Sequence, residues 1–188
     1  MGFFTGLLIV IAILAVLTIV LYNRLVALRQ TRENAFSDID VQLQQRYDLV
    51  PNLIETVKGY ASHEKEVFQN VTEARAGVDR AQNQGERLQA EGALGGALMN
   101  LFAVAENYPD LKADANFIKL QNELSDIENK IAAARRFFNN ATNEMNTSVQ
   151  QFPSNIIAKS FGFKVENFYE LDADQEEAIR KVPEVSFK

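Results

Sequence analysis

Residues 117–145 read FIKLQNELSDIENKIAAARRFFNNATNEM, and in them Phe117, Leu120, Leu124, Ile127, Ile131, Ala134, Phe138, Ala141 and Met145 fall at alternating intervals of three and four. That spacing puts all nine side chains on one face of an α-helix. Val149 and Phe152 complete the stripe, Asp114 stands where an N-cap belongs, and Pro153 follows the end. A helix with so regular an apolar seam needs other helices to bury it.

Three upstream segments supply them. Leu25, Leu28, Phe36, Ile39, Leu43 and Tyr47 share one rhythm, interrupted only by Arg32. Leu53, Val57, Tyr60, Val67, Val71, Ala74, Val78 and Ala81 repeat it, with Glu64 as the polar intruder, and Leu94, Leu98, Leu101, Ala105 and Tyr108 mark a third helix over residues 86–108. Punctuation falls between them at Asp48 and Pro51, at residues 82–85 (QNQG) and at residues 107–110 (NYPD). The apolar phase runs on from Leu43 through Tyr47, Val50 and Ile54, as in a helix continuing past Pro51. A turn is nonetheless expected there, because proline pushes the preceding Val50 away from helical geometry. The sequence therefore predicts an all-α protein whose core is an antiparallel up-and-down four-helix bundle over residues 24–153. Four prolines, nine glycines and no tryptophan in 188 residues agree with a helical composition.

Working outward to the amino terminus, residues 3–21 carry no charge and match the roughly 20 residues that cross about 30 Å of hydrocarbon. A cleaved signal peptide would need a basic n-region and a small-x-small site, and neither is present. Residues 1–23 are thus predicted to be a single transmembrane anchor. Arg24, Arg29 and Arg32 follow the span and no basic side chain precedes it, so the amino terminus is expected outside and the body in the cytoplasm. Residues 154–188 form the remainder. Ile156, Ile157, Phe161 and Phe163 alternate with Lys159 and Lys164 as in a membrane-proximal or bundle-capping stretch, the cap being favoured. Residues 171–188 read as a loosely held acidic tail.

Little chemistry is visible. No cysteine removes disulfides, thiolate metal sites and thiol nucleophiles, and a net charge of -6 argues against nucleic acid as a partner. His63 is the only histidine and lacks the second histidine of a zinc-protease helix; Asp38 and Asp40 lie on different helix faces. No catalytic, cofactor-binding or metal-ligating residue is therefore expected, and no enzyme activity. Glu64, on an apolar stripe, is expected to find an arginine partner among Arg46, Arg75, Arg135 and Arg136. Gly92, Gly95 and Gly96 sit in a helix where each costs about 1 kcal/mol relative to alanine, which points to close packing, within the bundle or against a second copy.

Several landmarks recur together in one family. Residues 35–53 (AFSDIDVQLQQRYDLVPNL), 57–64 (VKGYASHE), 106–112 (ENYPDLK), 117–124 (FIKLQNEL), 134–139 (ARRFFN) and 152–158 (FPSNIIA) closely resemble the LemA family. The resemblance covers nearly the whole chain. It implies a bacterial single-pass membrane protein with an external amino terminus and a cytoplasmic helical bundle, and it implies no chemistry. Members are often encoded beside membrane-bound proteases, and one relative belongs to the set needed for magnetosome membranes. The expected function is a non-enzymatic, self-assembling scaffold that organises membrane, held by lipid contacts of the anchor and by homo-oligomer contacts. The alternative is an adaptor for a membrane protease.

Overall fold

The computed structural model describes residues 2–82 and 84–169, which form six α-helices and no strand. These are α1 (Gly2–Lys58), α2 (Lys65–Arg80), α3 (Gln84–Ala105), α4 (Pro109–Lys112), α5 (Ala115–Gln150) and α6 (Ser154–Ser160). The acidic tail expected over residues 171–188 lies outside the described residues, as does Asn83 of the expected 82–85 turn. The all-α class and the single long apolar helix at the amino terminus are as the periodicity predicted. Within α1, an 18-residue window has a mean hydropathy of 3.0 and none of it is buried. A core helix of a soluble protein would cover such a stretch; here it is bare and long enough to cross a membrane.

The turn expected at Pro51 is absent. α1 passes through the proline and ends only at Lys58, although Pro51 cannot donate to the Tyr47 carbonyl. The reason lies in packing. Leu43 and Val50 before the proline and Leu53, Ile54 and Val57 after it are all buried, so a turn would swing one of the two sets off the core. The break comes instead after Lys58, where Tyr60 and Ala61 both donate their backbone N–H to the Val57 carbonyl. The second segment expected over residues 53–81 is accordingly divided between the end of α1 and α2.

The described residues fall into two compact units, 2–40 with Ile131–Tyr169 and 41–130. In the unit of residues 41–130, Val50, Leu53 and Val57 of α1, Phe68 and Val71 of α2, Leu94, Leu98 and Leu101 of α3, Leu111 of α4, and Phe117 and Leu124 of α5 share one core. Polar pairs fix the helix directions. Arg46 meets Glu91 and Glu128, Tyr47 Oη donates to Asp79 at 2.5 Å, Tyr60 Oη to Asp114 at 3.0 Å, and Tyr108 Oη to Glu64 at 2.9 Å. Going from Arg46 on α1 to Tyr60 just past its end, the partners descend from Glu128 on α5 to its N-cap Asp114; Tyr47 meets Asp79 near the end of α2, and Glu64, just before α2, meets Tyr108, just after α3. Consecutive long segments of this unit therefore alternate in direction.

Asp114 caps α5 as the sequence proposed: its Oδ1 accepts the backbone N–H of Asn116 and of Phe117, each at 2.9 Å. The Phe117 N–H, then the Tyr60 hydroxyl and the Asn116 N–H, hold this carboxyl below the usual carboxylate range against an opposing effect of burial. A carboxyl depressed by folding adds stability above its unfolded value of about 4 and loses it as pH falls through the lower folded value. Asp114→Ala should therefore melt below the wild type at neutral pH. The gap should narrow on acidification below that range, and thermal melts that differ equally at every pH would contradict this.

In the unit of residues 2–40 and 131–169, α1 and α5 run antiparallel: the rings of Phe36 and Phe138 meet edge-on at 5.7 Å, and Arg32 Nε donates to Thr142 Oγ1 at 3.1 Å. The α5 stripe is buried here at Ile131, Phe138, Ala141 and Met145. Phe152, expected to complete it, is 75% exposed, because α5 has ended at Gln150 and the chain has turned away.

Candidate functional site

Two side-chain constellations stand out, one in each unit. In the unit of residues 41–130, Arg46 and Glu91 are 3% and 2% exposed and form an ion pair between α1 and α3. Arg46 Nη2 also donates to the Glu91 carbonyl oxygen at 3.1 Å, and Nη1 to the half-exposed Glu128 on α5 at 2.7 Å. One guanidinium thus ties three helices. Burial draws its pKa down, but Glu128 and Glu91 together more than offset that and keep it above its ordinary value. Next to it on α1, the Tyr47 ring lies 3.9 Å beneath the Arg75 guanidinium of α2. A cation held over an aromatic face in this way is a contact that arginine favours. Arg46 Nε, Glu91 Oε1 and Arg75 Nε are buried without a hydrogen-bond partner among the described residues, yet the guanidinium and carboxylates are turned on one another, so the arrangement joins helices.

In the other unit, Asn139 and Asn146 lie two turns apart on one face of α5 and grip an extended segment that follows α6. Asn146 Nδ2 donates to the Glu166 carbonyl at 2.9 Å while its Oδ1 accepts the Glu166 N–H at 2.8 Å. Asn139 does the same with Tyr169, at 3.2 and 2.8 Å. The register is geometric: seven helical residues rise about 10.5 Å, and three extended residues span about 10 Å. Arg32 completes the clamp, donating to the Asn167 carbonyl at 3.2 Å, lying 3.7 Å from Glu166 and stacking 4.8 Å over Phe138. The arginine that interrupts the apolar stripe of α1 is thereby accounted for.

Residues 35–187 match the LemA family. The chain belongs to the LemA family. Among curated relatives, it is 26% identical to the magnetosome protein MamQ of Magnetospirillum gryphiswaldense, over 87% of this chain and 71% of that protein. It is 25% identical to MamQ 2 of Paramagnetospirillum magneticum (86% and 68% covered). It is likewise 25% identical to protein LemA of Metamycoplasma hominis (82% and 74% covered). The family match takes in the Arg46 cluster and both asparagines of the clamp, while Arg32 precedes it.

The residues singled out in this LemA-family sequence are dispersed. Glu64 is half-buried and accepts from the Tyr108 hydroxyl, not from an arginine; that bond, aided by burial and the carboxylate charge, raises the tyrosine pKa. The buried carboxylate paired with arginine is Glu91, and of the proposed arginines Arg46 holds it. Gly95 faces Arg46, whose Nη1 would lie 3.8 Å from an added Cβ, an ordinary contact distance that does not by itself require glycine. Gly92 is half-buried. Gly96 is exposed, and among the described residues nothing lies within 4 Å of an added Cβ. Arg24 is exposed, and Arg29 pairs with Glu33 at 3.0 Å on the surface of α1. Ile156 and Phe161 are exposed, Ile157 and Phe163 half-buried, so the favoured capping role does not describe the first two. An open cleft beside α2 is lined by Lys58, Lys65, Phe68 and Glu73, with the Lys58 ammonium 5.7 Å over the Phe68 ring. Among the described residues no group of three or more His, Asp or Glu side chains is arranged to hold a metal ion.

Proposed function

We propose that the protein is a non-enzymatic scaffold, anchored in the bacterial inner membrane with its amino terminus outside, that assembles with copies of itself and organises the bilayer. The observation that carries this reading is the bare apolar stretch that opens α1: an 18-residue window with a mean hydropathy of 3.0, none of it buried, long enough to cross a membrane.

Self-association is supported by the outer face of α3. Met99 is 74% exposed beside the unexplained Gly96, with the exposed Ala93 and Ala103 on the same side. Likeness to relatives named as magnetosome proteins agrees with a role in membrane organisation. The orientation rests on Arg24, Arg29 and Arg32 following the span.

The chain has no cysteine, so Met99→Cys creates a single thiol. Mild oxidation of this variant in its native membrane is expected to give a chain-to-chain disulfide as the main product. One dominant crosslink to a different protein would replace the scaffold by the adaptor reading, and a thiol that stays reduced in densely reconstituted membranes would remove α3 from any assembly contact.

A further inference from the structure

We propose that residues 152–164 are a second membrane-contact element, in which Phe152, Ile156 and Phe161 sit in the boundary between headgroups and acyl chains while Lys159 and Lys164 meet anionic lipid. The depth is set by Tyr22. Its ring lies 4.8 Å from that of Phe161 and 6.1 Å from that of Phe163. Tyr22 ends the uncharged span of α1, about ten residues or 15 Å from the middle of that span, which is half the thickness of a hydrocarbon core of about 30 Å. Phe161 is thereby held at the level where α1 leaves the lipid, the level at which aromatic side chains gather.

The segment is built to stay there. Ser154 Oγ donates to the Ser148 carbonyl at 2.6 Å, tying the start of α6 to α5. At its other end the Phe163 N–H bonds the Ala158 carbonyl at 2.9 Å around Gly162, whose φ of 76° no other residue adopts as readily. The turn returns Phe163 to Tyr22 and leaves Phe161 projecting, 57% exposed, with Ile156 at 56%. Large apolar groups held outward by a rigid turn would be unfavourable in water; an interface covers them and continues the surface that the span already gives to lipid. Lys159 and Lys164 are exposed on the same short stretch, with Arg24 and Arg29 on α1 near Tyr22. Basic groups beside an apolar ridge complement anionic headgroups.

The proposal rests on α1 spanning a bilayer and not on self-assembly. The test uses the full chain in liposomes of phosphatidylcholine and phosphatidylglycerol carrying brominated acyl chains, with tryptophan, absent from the sequence, introduced singly. Phe161→Trp is expected to be quenched several-fold more than Phe137→Trp, a reference on the exposed face of α5, and Leu14→Trp in the span reports insertion. With Leu14→Trp quenched, equal quenching at 161 and 137 would overturn the proposal. A tryptophan at 161 shielded from both bromolipid and aqueous acrylamide would assign the ridge to a second copy and overturn it too. An unquenched Leu14→Trp would remove the membrane reading of α1 and this proposal with it. Lys159→Gln with Lys164→Gln should weaken the quenching at 161 chiefly in vesicles containing phosphatidylglycerol.

Discussion

Arg46→Met should destabilise the protein by about 3–5 kcal/mol, the range for breaking a buried ion pair from one side. The size comes from what remains. Glu91, 2% exposed, would be left buried with no guanidinium beside it, and its backbone carbonyl would lose a donor as well. Methionine fills much of the vacated space but offers nothing to a carboxylate. Glu91→Leu combined with Arg46→Met removes both charges, so most of the lost stability should return, as it often does when a buried pair gives way to apolar groups. Denaturant unfolding of the two single variants and the double variant in detergent forms the necessary cycle. A double variant that loses the sum of the two single losses would mean that Arg46 and Glu91 do not act as a pair. Glu128, about half exposed, should matter far less, since solvent screens its side of the contact.

Phe138→Ala should cost a similar amount, about 3–5 kcal/mol, by the usual penalty for emptying a buried aromatic site. Phe138 is 2% exposed and is touched from three sides: by the Phe36 ring at 5.7 Å, the Tyr169 ring at 6.2 Å and the Arg32 guanidinium at 4.8 Å. Its loss should therefore loosen the clamped segment as well. Hydrogen exchange is expected to accelerate at Glu166 and Tyr169, whose N–H groups are held by Asn146 and Asn139. Unchanged protection at these two amides would show that the asparagines suffice without the aromatic contacts.

The α5 seam was legible because its apolar residues keep strict spacing for nine positions, and Ile127, Ile131, Phe138 and Met145 are buried as read. The course of α1 past residue 47 was not. Reading the phase through Tyr47 and Ile54 hid a second register, Leu43, Arg46, Val50, Leu53 and Val57, all of it buried. Arg46 sits on that stripe, and Glu91 on the stripe of Leu94, Leu98 and Leu101, so a search for opposite charges on two apolar faces would have found the pair. Local preference at Pro51 misled because burial on both sides of the proline outweighs one missing hydrogen bond. The clamp left a weaker trace: Asn139 and Asn146 are seven residues apart, but their partner is extended backbone, which has no side-chain pattern to read. Gly96 was visible as an anomaly, and among the described residues nothing lies within 4 Å of an added Cβ there.

The most direct test of the scaffold reading is cryo-electron microscopy of the full-length protein, gently extracted and then reconstituted at high density in liposomes with α1 intact. Ordered arrays or reshaped vesicles are expected, with contacts running through the Gly96 and Met99 face of α3. Dispersed single copies on undeformed vesicles would contradict a self-assembling scaffold.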